Sequence, residues 1–276
     1  MKSINCNGKL IDLTSPKVMG ILNITPDSFF DGGKYNNNNA IISQVTKMLD
    51  QGATFIDVGA YSSRPGAKHI SADEELSRIL PIIKLLIKEF PSILISVDTF
   101  RSKIAEQCIQ NGACMVNDIS AGTMDKTMFS TIAKLQIPYI IMHMQGSPQT
   151  MQTNPVYDNI VKDVLFYFSK KISKLHSLGI NDIITDVGFG FGKTLEHNYQ
   201  LLSNLELFKG LEAPTLVGLS RKSMLYKPLN ISAKEALSAT TSANTIAILN
   251  GANILRVHDV KEAMEAINIV NLTTQN

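Results

Sequence analysis

An alternation running the length of the chain constrains its fold most. Eight short β-rich runs recur along it: "KVMGILN" (17–23), "TFIDVG" (54–59), "ILISVD" (93–98), "CMVND" (114–118), "PYIIMH" (138–143), "DIITDVG" (182–188), "PTLVGLS" (214–220) and "NILRVH" (253–258). Each is almost continuously apolar, as expected of parallel strands buried on both faces. Helical spacing fills the gaps. Asp73 to Glu89 puts Leu76, Ile79, Leu80, Ile83, Leu86 and Ile87 on one face, and Val161, Val164, Leu165, Phe168, Ile172 and Leu175 repeat the pattern. Ser71 with Glu74 reads as a capping box, and Asn111-Gly112 and Leu178-Gly179 read as helix stops. Strands alternating with helices fit a closed (β/α)8 barrel as naturally as a doubly wound sheet. No linker or shift in composition divides the chain, so one domain over residues 1–276 is expected.

Composition narrows the partners. Lys+Arg 26 against Asp+Glu 24 leaves a formal net charge of +2. That balance argues against nucleic-acid and anionic-membrane partners, though a local basic pocket for phosphate remains compatible with it. Cys6, Cys108 and Cys114 are odd in number and form no C-x-x-C, which disfavours a disulfide scaffold or structural zinc. The start "MKSINCNGKLIDL" has no apolar core suited to a signal peptide. Nowhere is there a run of about 18 apolar residues. A soluble cytoplasmic protein is expected, with the Asn36–Asn39 run as a solvated loop.

The strand ends carry the chemistry. They finish at Asn23, Asp98, Asn117-Asp118, His143, Asp186, Ser220-Arg221-Lys222, and Arg256 with His258. One polar residue at a strand end is ordinarily a cap or a loop hydrogen bond. Seven of eight strands ending so, with carboxylates, amides and cations mixed, exceeds what capping needs. In a barrel these positions converge on the C-terminal mouth. Arg256, His258, Lys222 and Arg64 suit phosphate, arginine through its bidentate fork. Asp98, Asp186 and Asn117 suit a flat heterocycle with adjacent N–H donors.

The stretch "DVGFGFGKT" (186–194) imitates a nucleotide loop without being one. A Walker loop, G-x-x-x-x-G-K-[ST], requires glycine five places before Gly192, where Val187 stands. A dinucleotide fingerprint, G-x-G-x-x-G, is broken by the strict alternation of Gly188, Gly190 and Gly192.

Taken together, "MGILNITPDSFFDGG" (19–33), "SSRPGA" (62–67), "SVDT" (96–99), "NDISAG" (117–122), "DVGFGFGKTLEHN" (186–198), "GLSRKSM" (218–224) and "RVHDV" (256–260) resemble the dihydropteroate synthase family, in order, from about Met19 to Val260. The resemblance implies a (β/α)8 barrel that joins 6-hydroxymethyl-7,8-dihydropterin pyrophosphate to p-aminobenzoate, assisted by Mg2+, and works as a homodimer. It implies that Asp186 reads the pterin, that Asp98, Asn117 and Lys222 complete its contacts, and that Met142 packs on the ring. Asn23 would meet a magnesium pyrophosphate, and Arg256 and His258 would bind the pyrophosphate. Ser63, Arg64, Pro65, Phe191 and Ser223 would lie near p-aminobenzoate. Asp98, Lys222, Arg256 and His258 would be the catalytic group, and Lys193 would be structural. "DSFFDGG" and "YSSRPGA" read as loops able to close over the mouth. Two positions depart from the family pattern: Ser63 stands in the usual threonine place and Val187 in the usual proline place. A pterin-dependent methyltransferase would share Asp98, Asn117 and Asp186 but has no use for a pyrophosphate site, and a non-catalytic pterin binder would be expected to lose some of Asn23, Lys222, Arg256 or His258.

Overall fold

The structure is a computed structural model that describes residues 3–24, 37–62, 69–146, 151 and 155–274. Strands β3 (Lys17–Asn23), β4 (Phe55–Gly59), β5 (Ile95–Asp98), β6 (Met115–Asp118), β7 (Tyr139–Met142), β8 (Ile183–Asp186), β9 (Thr215–Val217) and β10 (Ile254–Val257) pair in parallel, each with the next. β10 pairs with both β9 and β3, which closes the barrel and rules out the doubly wound sheet. All eight barrel strands fall inside the runs read from the sequence.

The outer ring contains α1 (Asn37–Asp50), α2 (Ala72–Glu89), α3 (Ser102–Gln110), α4 (Met128–Leu135), α5 (Ile160–Ser177), α6 (Leu195–Ser203), a 3-10 turn (Leu205–Leu211), α7 (Ser223–Tyr226), α8 (Leu237–Leu249) and α9 (Val260–Thr274). Ile79, Ile83 and Leu86 of α2, and Val164, Phe168, Ile172 and Leu175 of α5, are buried in the layer between helices and barrel. The Ser71 side chain accepts from the Glu74 backbone N–H at 3.1 Å, as expected of an N-cap. A reciprocal capping box forms instead at Thr194 and His197, at the start of α6. None of the described helices is long and apolar enough to cross a membrane.

The N-terminal segment adds an element absent from the eightfold pattern. β1 (Ser3–Cys6) and β2 (Lys9–Asp12) form an antiparallel hairpin turned by Asn7 and Gly8, with φ of 52° and 81°. Asn-Gly with both φ positive marks a two-residue hairpin turn. Ile4, Cys6, Ile11 and Leu13 cluster with Met19, Phe55, Leu94, Met115, Ile140, Ile184, Leu216 and Ile254, one residue from each strand or its lead-in. The hairpin therefore plugs the N-terminal end of the barrel, which leaves the opposite end for the site.

Candidate active site

Side chains alternate inward and outward along a strand, so the layer two residues above that apolar floor is dictated by the floor. It contains Asp57, Ser96, Asn117, Met142, Asp186 and Arg256, and the next layer adds Asn23, Gly59, Asp98 and His258. The registers Asp57↔Ser96, Asp98↔Asn117 and Met142↔Asp186 hold these side chains side by side.

Arg256 is at the centre. Its Nε donates to Asp57 at 2.6 Å and its Nη2 to Asp98 at 2.8 Å. Burial opposes the guanidinium charge, but the two carboxylates more than offset it and hold the proton more tightly than usual. Asp57, fully buried, also accepts from the Asn117 amide at 3.0 Å. That bond fixes the amide's orientation, because a carboxylate can only accept, and it turns the Asn117 carbonyl oxygen away from Asp57. Sequence reading overlooked Asp57 because it lies mid-strand in an apolar run rather than at a strand end. The inward parity it shares with Phe55 was the available signal.

Burial pushes the Asp98 carboxyl up to about 7, opposed by Arg256. Burial raises Asp186 as well, against Lys222 and the Gly188 N–H, which donates to Asp186 at 2.8 Å. Lys222 is pushed down to about 8 by burial, against the pull of Asp186. Its ammonium donates to the Phe189 carbonyl at 2.6 Å and lies 5.0 Å from the centre of the Phe191 ring. Phe191 packs against a small apolar cluster of Tyr61, Ile70, Phe100, Ile119 and Met142, so the polar layer has an apolar wall. His258 is exposed, with Nδ1 2.9 Å from the Ser220 hydroxyl, and Ser223 is exposed at the start of α7. Asn23 is half-buried at the end of β3. Ser63, Arg64 and Pro65, most of both proposed closing loops, and Asn36 lie outside the described residues, while Asn37, Asn38 and Asn39 open α1 and do not form the expected loop.

Three strand-end residues do not join this pocket. Asp118 is one residue out of phase with Asn117, faces outward, and accepts from Tyr139, Ser120 and Gly122 at 2.6 to 2.8 Å. His143 is likewise out of phase with Met142. Its ring packs edge-on against Tyr167 of α5 at 4.9 Å, and burial and the adjacent Lys193 push it down to about 3. Arg221 turns away to a two-bond pair with Asp259, both at 2.9 Å.

The glycine stretch is a folded-back loop. Gly188, Gly190 and Gly192 all have positive φ, and a Cβ on Gly188 would collide with the His143 carbonyl. Lys193 is buried and donates to the carbonyls of Gly188, Phe191 and His143 at 2.9 to 3.2 Å, so it fastens the loop, as its structural reading requires. Val187, in the usual proline place, is fully buried in the outer core.

A (β/α)8 barrel with an ion-paired, hydrogen-bonding layer at the C-terminal mouth belongs to the class of barrel enzymes that act on polar small molecules there. The family model for pterin binding enzymes matches residues 19–258, and the chain belongs to that family. It is 42% identical over 268 residues to the dihydropteroate synthase of Escherichia coli (strain K12), covering 96% of this chain and 94% of the relative. With the Haemophilus influenzae dihydropteroate synthase it shares 42% over 269 residues, covering 97% of both. Among solved structures, the Yersinia pestis dihydropteroate synthase with a sulfonamide drug complex superimposes with a TM-score of 0.93 at 41% identity, covering 99% of this chain and 100% of that one. The Xanthomonas albilineans dihydropteroate synthase with 4-aminobenzoic acid gives 0.93 at 33% identity, covering 100% and 99%.

Proposed function

We propose that this chain is a dihydropteroate synthase, joining 6-hydroxymethyl-7,8-dihydropterin pyrophosphate to p-aminobenzoate and releasing 7,8-dihydropteroate and pyrophosphate in folate synthesis. The observation that carries this reading is the inward layer itself: Asp186, Asn117 and Asp98 beside Lys222 and Arg256, in one mouth with an apolar wall. Asp186 accepts from the pterin's 2-amino and ring N–H groups, the Asn117 carbonyl adds an acceptor, Lys222 donates at the opposite edge, and Met142 packs on the ring face. Each charge-assisted hydrogen bond of this kind contributes roughly 1.5–3 kcal/mol.

The exocyclic C–O bond breaks, its electron pair leaves with the pyrophosphate, and positive charge spreads from the methylene into the dihydropterin. The Asp98 carboxylate stabilises that charge electrostatically. Arg256 and His258 donate to the departing anion; Arg256 keeps N–H donors beyond the two held by Asp57 and Asp98. The arylamine nitrogen then closes the C–N bond and gives up a proton to solvent. It is neutral at pH 7, so no strong base is required. Ser63, Arg64 and Pro65, with Phe191 and Ser223, receive p-aminobenzoate.

Among the described residues no group of three or more His, Cys, Asp or Glu is arranged to hold a metal. One amide oxygen at Asn23 fits a Mg2+ carried in by the substrate's phosphates, since that ion keeps several waters and needs few protein oxygens. When bound, Mg2+ supplies charge neutralisation on the pyrophosphate.

We read the assembly as a cytoplasmic homodimer. Ile246 and Leu249, one turn apart on α8, are 46% and 56% exposed, large apolar side chains of the kind a second surface would cover. A monomer mass in sedimentation would contradict that assembly. Incubating the purified protein with the pterin pyrophosphate, p-aminobenzoate and Mg2+ should yield dihydropteroate by mass. Pterin binding without product would reduce the chain to a pterin binder.

A further inference from the structure

Ser220 and His258 meet through two hydrogen bonds, and the proton count at their junction has a chemical consequence. The backbone N–H of His258 donates to Ser220 Oγ at 3.2 Å, and the same Oγ lies 2.9 Å from His258 Nδ1. A backbone N–H has only a proton to give, so the hydroxyl accepts there. If Nδ1 were also protonated, Oγ would receive two donors and its own proton would need a third partner. Among the described residues, these two contacts are the hydrogen bonds of Ser220 Oγ, and Ser220 is only 7% exposed. The arrangement in which every proton is used puts the hydroxyl proton on Nδ1 as acceptor. The proton of the neutral imidazole then sits on Nε2.

The junction is held rigid by its neighbours. Arg221, next to Ser220, forms its two-bond pair with Asp259, next to His258. Arg221 also donates to the Ala233 and Lys234 carbonyls at 3.1 and 2.6 Å, and its backbone N–H is held by Thr240 at 3.1 Å.

We propose that Ser220 is a positioning residue that fixes His258 as the Nε2–H tautomer, so that this imidazole offers a donor to the departing pyrophosphate without first taking up a proton. The proposal rests on the reading of His258 as a pyrophosphate ligand. Nitrogen-15 NMR of histidine-labelled protein tests the two parts separately, with the His258 signals assigned by their loss in His258→Gln. In the unaltered protein Nδ1 should resonate as an unprotonated acceptor nitrogen when the ring is neutral. Ser220→Ala should move it towards a tautomer mixture, and Ser220→Thr, which keeps the hydroxyl, should not. In calorimetry with inorganic pyrophosphate and Mg2+, Ser220→Ala should bind about two- to threefold more weakly, since affinity falls with the fraction of molecules in the donating tautomer, and Ser220→Thr should match the parent. A protonated Nδ1 in the parent, or an Nδ1 signal unmoved in Ser220→Ala, would overturn the role of Ser220. A moved tautomer with unchanged pyrophosphate affinity would overturn instead the assignment of His258 to that anion.

Discussion

Asp57 shows how one atom's surroundings set a site. Fully buried, it links Arg256 to Asn117, and so fixes both the cation at the barrel's centre and the direction of an amide. Asp98 and Lys222 belong to the same electrostatic set, and their displaced acidities make a testable pH window. In the proposed reaction Asp98 acts as a carboxylate beside the pterin cation, and burial holds its proton on up to about 7. The proposed donation from Lys222 to the pterin requires its ammonium form, and burial strips that proton from about 8. Activity should therefore rise through the first value and fall through the second. The profile of kcat/KM for the pterin substrate should be a narrow bell between them, with both limbs belonging to the coupled set. A flat profile from pH 5 to 10 would remove both groups from the chemistry.

At the scale of elements, the informative segment is the loop from Gly188 to Lys193. Its carbonyls face ammonium groups: Gly188 and Phe191 accept from Lys193, and Phe189 accepts from Lys222. Its first N–H holds Asp186. Loop, acid and base are thus one unit. Gly188→Ala meets two penalties, a φ of 70° and a backbone carbonyl where its Cβ would go. It should lower stability by about 2 kcal/mol or more in urea unfolding and weaken pterin binding along with it. Full retention of both would mean that the loop follows another path.

The strands were legible because a strand buried on both faces has no choice but to be apolar, and the strand-end polar residues followed from that. What stayed illegible was phase. Asn117-Asp118 and Met142-His143 are adjacent in sequence but face opposite sides of the barrel wall, and single-residue register decides which of each pair joins the pocket. Asp57 was hidden because a mid-strand acid inside an apolar run looks like an exception until the floor of the barrel sets the parity. The N-terminal hairpin stands outside the repeating strand–helix unit, and Asn7-Gly8 is its turn signal in the sequence.

For the whole molecule, the barrel divides its labour between two ends. The hairpin and the apolar floor close one end and hold the strands in register. The other end gathers side chains from strands far apart in the chain, such as Asp57 with Arg256, into one polar layer. In the proposed function this layer reads a pterin, with Asp186 as its principal acceptor. Asp186→Asn preserves size but turns one acceptor into a donor facing ring N–H groups. Calorimetry with the dihydropterin pyrophosphate should show binding at least about a hundredfold weaker, or roughly 2.7 kcal/mol, in a variant whose melting temperature shows it to be folded. Unchanged affinity in that folded variant would contradict this role and move the recognition of the heterocycle away from Asp186.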